Sequence, residues 1–169
     1  MSWRTWFARQ RVNVMAYLLA VDLGLRTGLA LYGQDGRLVW YRSQHFGTAA
    51  TLRRRVRGLL SEWPDLTWLV LEGGGRLAEI WEREAQRYAI DVKRISAEVW
   101  RKQLLYPREQ RSGLQAKQNA DELARRVIEW SGASRPTSLR HDAAEAILVG
   151  LWGVLDRGWL QHLPNDLRR

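Results

Sequence analysis

Two stretches decide the fold: Tyr17-Leu18-Leu19-Ala20-Val21-Asp22 and Thr67-Trp68-Leu69-Val70-Leu71-Glu72. Each is a short continuous apolar run closed by an acid, the pattern of a strand buried on both faces whose last residue reaches the sheet edge. Between them, residues 28–32 and 38–41 read as two further strands joined by Gly33-Gln34-Asp35-Gly36, whose Asp-Gly pair is hairpin chemistry. An antiparallel three-strand meander is therefore predicted from residue 17 to residue 41. Residues 51–63 carry Leu52, Val56, Leu59, Leu60 and Trp63 at helical spacing with Arg53, Arg54, Arg55 and Arg57 between them, and Pro64 follows. That helix is a right-handed crossover long enough to bring the strand ending at Glu72 parallel to the strand ending at Asp22.

Working outward, Gly73-Gly74-Gly75 leads into a helical stretch over 76–88, residues 91–95 read as a fifth strand, and 97–105 as a helix. Residues 106–115 read as a mobile polar loop. Two more helices follow, 116–130 and 139–155, separated by the breaker Ser134-Arg135-Pro136-Thr137. The sum is an α/β domain with a mixed five-stranded sheet flanked by helices. Ligands in open α/β sheets favour the carboxyl ends of the strands, which places the expected site at the edge holding Asp22 and Glu72.

Composition narrows the chemistry. The chain has 169 residues, 46% hydrophobic and 27% charged, which suits one folded domain of ordinary size. With 27 Lys and Arg against 18 Asp and Glu, the formal charge of +9 favours a polyanionic partner, nucleic acid or an anionic membrane surface. The absence of cysteine excludes a disulfide framework, a Cys-ligated zinc site, an iron–sulfur cluster and a thiol nucleophile. No apolar run approaches the roughly 20 residues of a membrane-spanning helix, so a soluble, cytoplasmic protein is expected, without a membrane partner. Residues 1–15 form a basic and aromatic leader with Trp3, Trp6 and Phe7 among arginines. Met15 is a candidate start, and a targeting arm or a helix packed on the domain are the other readings.

Four acids stand out from polar surroundings. Asp22 and Glu72 end apolar strands, while Asp142 and Glu145 lie three residues apart at the start of the most apolar helix, so both project from one face. Each alone could be a cap or a dipole partner. Together they are carboxylates that must find a cation or shift their pKa values, and four converging acids call for divalent metal. Oxygen-only ligands suit Mg²⁺, with Mn²⁺ as a substitute, and two ions per site would serve hydrolysis of a phosphodiester without a covalent intermediate. His141, adjacent to the helix pair, is a candidate outer-shell partner.

The order Ala20-Val21-Asp22-Leu23-Gly24 with Gly28, then Val70-Leu71-Glu72, then Asp142-Ala143-Ala144-Glu145-Ala146 resembles the RuvC family of Holliday junction resolvases, within the RNase H-like superfamily. The resemblance spans residues 16–155 in layout, and the acid motifs are its specific part. It implies an RNase H-like nuclease domain over 16–160, followed by a basic tail over 161–169. It also implies a homodimeric, Mg²⁺-dependent endodeoxyribonuclease that places paired nicks across four-way DNA junctions, active in the cytoplasm at the nucleoid or in an organelle. Asp22, Glu72, Asp142 and Glu145 match the family's catalytic carboxylates, and Lys117 matches a basic position that contacts phosphate or stabilises developing charge. Two departures are Glu145, longer by a methylene than the more usual Asp, and Gly73-Gly74-Gly75, which replaces a less glycine-rich segment.

Arg53 and Arg54, Lys93 and Arg94, Arg101 and Lys102, and Arg108 and Arg111 form separated basic clusters suited to clamping the phosphates of branched DNA. Trp100, beside two of these, is the candidate DNA-facing aromatic. For a dimer, the expected face is the apolar stripe of the 76–88 helix, with Leu77, Ile80, Trp81, Ala85 and Tyr88. Asp22-Leu23-Gly24-Leu25-Arg26-Thr27-Gly28 also resembles the first phosphate loop of actin-like ATPases and sugar kinases, but the chain lacks room for their second domain. A non-catalytic or RNA-processing relative of the RNase H-like fold is the competing reading.

Overall fold

The computed structural model describes residues 15–168, so all but the last residue of the leader expected at residues 1–15 lies outside the described residues. Alternation along the buried strands sorts the chain into three layers. Strand β1, Tyr17–Asp22, turns Leu18 and Ala20 to one face and Leu19 and Val21 to the other, and each pair enters a different core. By the same period, Asp22 follows Leu18 and Ala20. Strands β2 (Arg26–Gly33) and β3 (Leu38–His45) complete the meander, with Gly36 at φ 79° in the hairpin between them. Helix α1 (Ala49–Ser61) crosses to β4 (Leu66–Glu72), which pairs parallel to β1 with Asp22 opposite Glu72. After α2 (Gly75–Arg87), β5 (Asp91–Ile95) adds parallel to β4. The sheet order is β3-β2-β1-β4-β5, the mixed five-stranded sheet expected.

Helices α1 and α2 cover one face through Leu52, Val56, Leu59, Ile80, Trp81 and Ala85. The apolar stripe of α2 therefore belongs mainly to the protein's own core: Ile80, Trp81 and Ala85 are buried, and only Leu77 and Tyr88 of the expected dimer face are exposed. A stripe at helical spacing satisfies either partner, and the sheet was the nearer one. The other face carries α3 (Ala97–Leu104), α4 (Gly113–Ser131) and α5 (His141–Asp156).

Helix α5 approaches the sheet closely because small residues meet it. A Cβ on Gly28 would lie 1.9 Å from the Asp142 carbonyl oxygen, and one on Gly150 would lie 2.2 Å from the Tyr32 ring. The Tyr32 hydroxyl then donates to the Ile147 carbonyl oxygen at 2.6 Å. This contact fixes the height of α5 above β2, and with it the position of the acids in its first two turns.

The segment expected as a mobile loop, 106–115, is ordered by local polar chemistry. Pro107–Gln110 form a 3₁₀ turn in which buried Glu109 accepts from the Tyr106 backbone N–H, and Ser112 caps α4 by accepting from the Gln115 N–H. Those side-chain caps lengthen α4 at its start. At the other end, Leu167 is buried and the Arg126 guanidinium donates to the Asp166 and Arg168 carbonyl oxygens, so the tail packs on α4 through residue 168.

Candidate metal centre

Asp22, Glu72 and Glu145 come together where β1, β4 and α5 meet. Parallel pairing sets the first two side by side, and the close approach at Gly28 lowers α5 onto them. One carboxylate oxygen from each lies within 4.8 Å of the other two. Oxygens at that separation are within reach of one hard cation with metal–oxygen bonds of about 2.0–2.6 Å. Glu72 and Glu145 are each 8% exposed.

Asp142 sits at the rim of this group. Its carboxylate accepts a short hydrogen bond from the Ser43 hydroxyl on β3, so it is held towards the edge strand rather than among the three. Of the four acids singled out in the sequence, the structure thus converges three and tethers the fourth beside them.

The electrostatics show a deficit of positive charge. Burial, followed by the charges of Glu72, Glu145 and Asp142, pushes the Asp22 carboxyl up to about 8. Burial also raises Glu72, partly offset by the hydrogen bond from Trp100. Arg101 on α3 donates to Glu145 Oε1 at 2.8 Å, and His141 Nε2 lies 3.3 Å from the same oxygen. The crowding and partial burial of these acids favour the neutral form of Asp22, and a cation placed among them would reverse that preference. The donor set, all oxygen and partly buried, fits a hard divalent ion.

Trp100 is fully buried and donates its indole N–H to Glu72 Oε2 at 2.9 Å. The expectation of a DNA-facing aromatic is corrected: α3 packs its apolar side under the sheet edge, and the buried tryptophan holds the Glu72 carboxylate instead. Local periodicity gave no sign of this bond or of the Ser43–Asp142 bond, since each joins residues far apart in sequence. The phosphate-loop reading of residues 22–28 also changes character, because that turn abuts a carboxylate cluster.

The basic residues divide. Arg53 and Arg54 on α1, Arg111 in the turn before α4 and Lys117 on α4 are exposed and carry no ion pair among the described residues. Lys93 pairs with Asp156 at 2.7 Å, and Arg94 holds Glu82 through two hydrogen bonds. Arg108 lies over the Tyr106 ring at 5.2 Å, and Lys102 lines a groove beside that ring. Arg101, expected among the phosphate clamps, reaches into the acid cluster. Lys117 makes no ion pair with the acids. No helix of the described residues is long and apolar enough to cross a membrane.

No family model matches the chain, and no curated protein matches it. Solved structures do. The Thermus thermophilus RuvC structure in complex with Holliday junction substrate superposes with a TM-score of 0.60 at 14% identity, covering 85% of this chain and 96% of that one. A second Thermus thermophilus RuvC structure gives 0.59 at 12% identity, over 84% and 96%. The large terminase nuclease of thermophilic phage G20c, with bound zinc, gives 0.48 at 15% identity, over 82% and 81%. The resemblance first carried by the acid motifs thus extends to the architecture: the chain has the fold of RuvC, an RNase H-like mixed sheet flanked by helices.

Proposed function

We propose that this protein is a metal-dependent, structure-specific DNA endonuclease that resolves four-way junctions by paired symmetric nicks, acting as a homodimer on DNA in the cytoplasm or nucleoid. The observation that carries the reading is the convergence of Asp22, Glu72 and Glu145 on one edge of a sheet with the RuvC fold. A chain with a formal charge of +9 that nevertheless gathers three carboxylates in a partly buried cluster is suited to bring a polyanion to a cation.

In this reading Asp22, Glu72 and Glu145 hold divalent metal, Mg²⁺ or Mn²⁺, with Asp142 available from the rim for a second ion. Such ions, when bound, supply Lewis acidity and neutralise charge at a phosphodiester. The chain's own residues do the positioning. Trp100 fixes the Glu72 carboxylate through its N–H, Ser43 fixes Asp142, and His141 and Arg101 hold Glu145 from the solvent side. Arg101 turns from Glu145 to a phosphate when substrate arrives, and Lys117, Arg53, Arg54, Lys102, Arg108 and Arg111 contact the DNA backbone farther out. Lys93 and Arg94 join them by exchanging exposed ion pairs, which are worth little individually.

The test is cleavage of an end-labelled four-way junction beside a linear duplex of matched sequence. Paired nicks in the junction, absent with chelator and in the Asp22→Asn and Glu72→Gln proteins, are expected. A folded protein that binds the junction and cuts neither substrate with Mg²⁺ or Mn²⁺ would make it a binding module.

A further inference from the structure

Two consecutive residues of α3 hold two of the three converging acids, and they do so by different chemistry. Trp100 donates a neutral indole N–H to Glu72 at 2.9 Å, and Arg101 donates a charged one to Glu145 at 2.8 Å. A neutral donor keeps its carboxylate whether or not a cation is present. A guanidinium does not, because its charge has the same sign as a metal ion bound to that carboxylate. The Arg101 charge also lowers Glu72, against the burial that raises it, so the side chain serves the cluster as an internal counter-cation.

The hold of Arg101 on Glu145 is incomplete. The Nε–H and Nη2–H of a guanidinium form the edge that pairs side by side with two oxygens of a carboxylate or a phosphate. Here Nη2 alone is used, while Nε is buried and has no hydrogen-bond partner among the described residues. A buried donor left unpaired is costly, so this single bond is weaker than the pairing the side chain is able to make. Glu145 Oε1 is also shared, with His141 Nε2 3.3 Å away. The backbone beneath is fixed, since the Arg101 carbonyl oxygen accepts from the Leu105 N–H at 2.9 Å and from Gln110 Nε2 at 3.3 Å. With its side chain 30% exposed, Arg101 can swing towards solvent without moving α3.

We propose that Arg101 is a latch on the metal site: it closes on Glu145 in the metal-free protein, and metal loading releases its guanidinium to take a DNA phosphate through both Nε and Nη2. The proposal rests on the metal-dependent nuclease reading and makes metal loading the condition for the turn to phosphate. Arg101 is then a positioning residue with two alternative partners. Closed, it partly neutralises a crowded set of carboxylates; released, it is kept from returning by like-charge repulsion, and a phosphate fills the edge that Glu145 only half occupies. Linkage requires metal and DNA to strengthen each other's binding by the same factor. It also fixes a sign. Removing a cation that competes for the ligands strengthens metal binding, whereas removing a merely structural support weakens it.

The experiment compares Mn²⁺ binding by wild-type, Arg101→Ala and Arg101→Lys proteins at pH 8 without DNA, read from the free-ion paramagnetic resonance signal. Arg101→Ala should bind Mn²⁺ about threefold to tenfold more tightly, as relief of like-charge repulsion at short range predicts. Arg101→Lys, which keeps the charge, should stay within about twofold of wild type. A second readout needs no variant: phenylglyoxal adducts on the wild-type protein are mapped by mass spectrometry in Mg²⁺ and in chelator. Arg101 should react faster in Mg²⁺, while Arg53, exposed and without an ion pair among the described residues, should react equally in both. A folded Arg101→Ala protein that binds Mn²⁺ no more tightly than wild type overturns the latch, as does Arg101 reactivity that Mg²⁺ leaves unchanged or lowers. In both cases Mn²⁺ binding by the wild type keeps the nuclease reading. Should Arg101→Ala fail to fold, the adduct map decides alone. Wild-type protein that leaves all Mn²⁺ free removes the metal site and the inference with it.

Discussion

Asp22 concentrates the account at the scale of a single residue. Its carboxyl is pushed up to about 8 by burial and three neighbouring acids, whereas in the unfolded chain it titrates near its ordinary value of about 3.9. The folded state therefore binds a proton that the unfolded state has lost, and without metal the stability tied to Asp22 falls as pH rises from about 4 to about 8. Asn cannot ionise. In chelator, Asp22→Asn should melt at or near the wild-type temperature at pH 4 and several degrees above it at pH 8, given about 2–4 °C per kcal/mol at this chain length. Thermal melts of both proteins across that range check the sign, and parallel curves would refute it. The acid itself was legible, since an apolar run ending in Asp announces a carboxylate at a sheet edge. Its neighbours' restraints were not. Trp100 reaches Glu72 across 28 residues and Ser43 reaches Asp142 across 99, and neither distance leaves a trace in local periodicity.

At the scale of elements, the decisive contact is α5 on β2. Gly28 pairs with Asp22 and lies directly beneath the Asp142 backbone, so any side chain at 28 must lift the helix start. Gly28→Ala should cost about 1–3 kcal/mol or more by overpacking, and it should move Glu145 out of reach of Asp22 and Glu72. Urea unfolding gives the first quantity and loss of metal binding the second; a stable variant that binds metal normally would show that the helix tolerates the shift. The five strands and the crossovers were readable because buried strands and amphipathic helices carry their periods openly. Segment 106–115 was not, because Glu109 and Ser112 order it through side-chain caps rather than through apolar pattern. The stripe on α2 was read correctly as apolar and assigned to the wrong partner, since periodicity shows that a face is covered and not by what.

The whole molecule pairs a basic exterior with an acidic, partly buried centre. Binding to junction DNA should weaken steeply with salt, and each backbone-contacting cation removed should reduce the slope of log K against log salt by about 1. Arg53→Ala with Arg54→Ala should show that reduction in full, because neither side chain is engaged in an ion pair among the described residues. Lys93→Ala with Arg94→Ala should show less, because Asp156 and Glu82 already hold them. Equal effects from both pairs, measured by anisotropy over a salt series, would assign the basic clusters the same duty.

The central claim is that Asp22, Glu72 and Glu145 form a divalent-metal site. Equilibrium Mn²⁺ binding, followed by loss of the free-ion paramagnetic resonance signal at pH 8 and without DNA, tests it most directly. Saturable binding by the wild-type protein, sharply weakened in Glu72→Gln and Asp22→Asn while both variants remain folded, is the predicted result. Wild-type protein that leaves all Mn²⁺ free, or variants that bind it as well as wild type, would contradict the account.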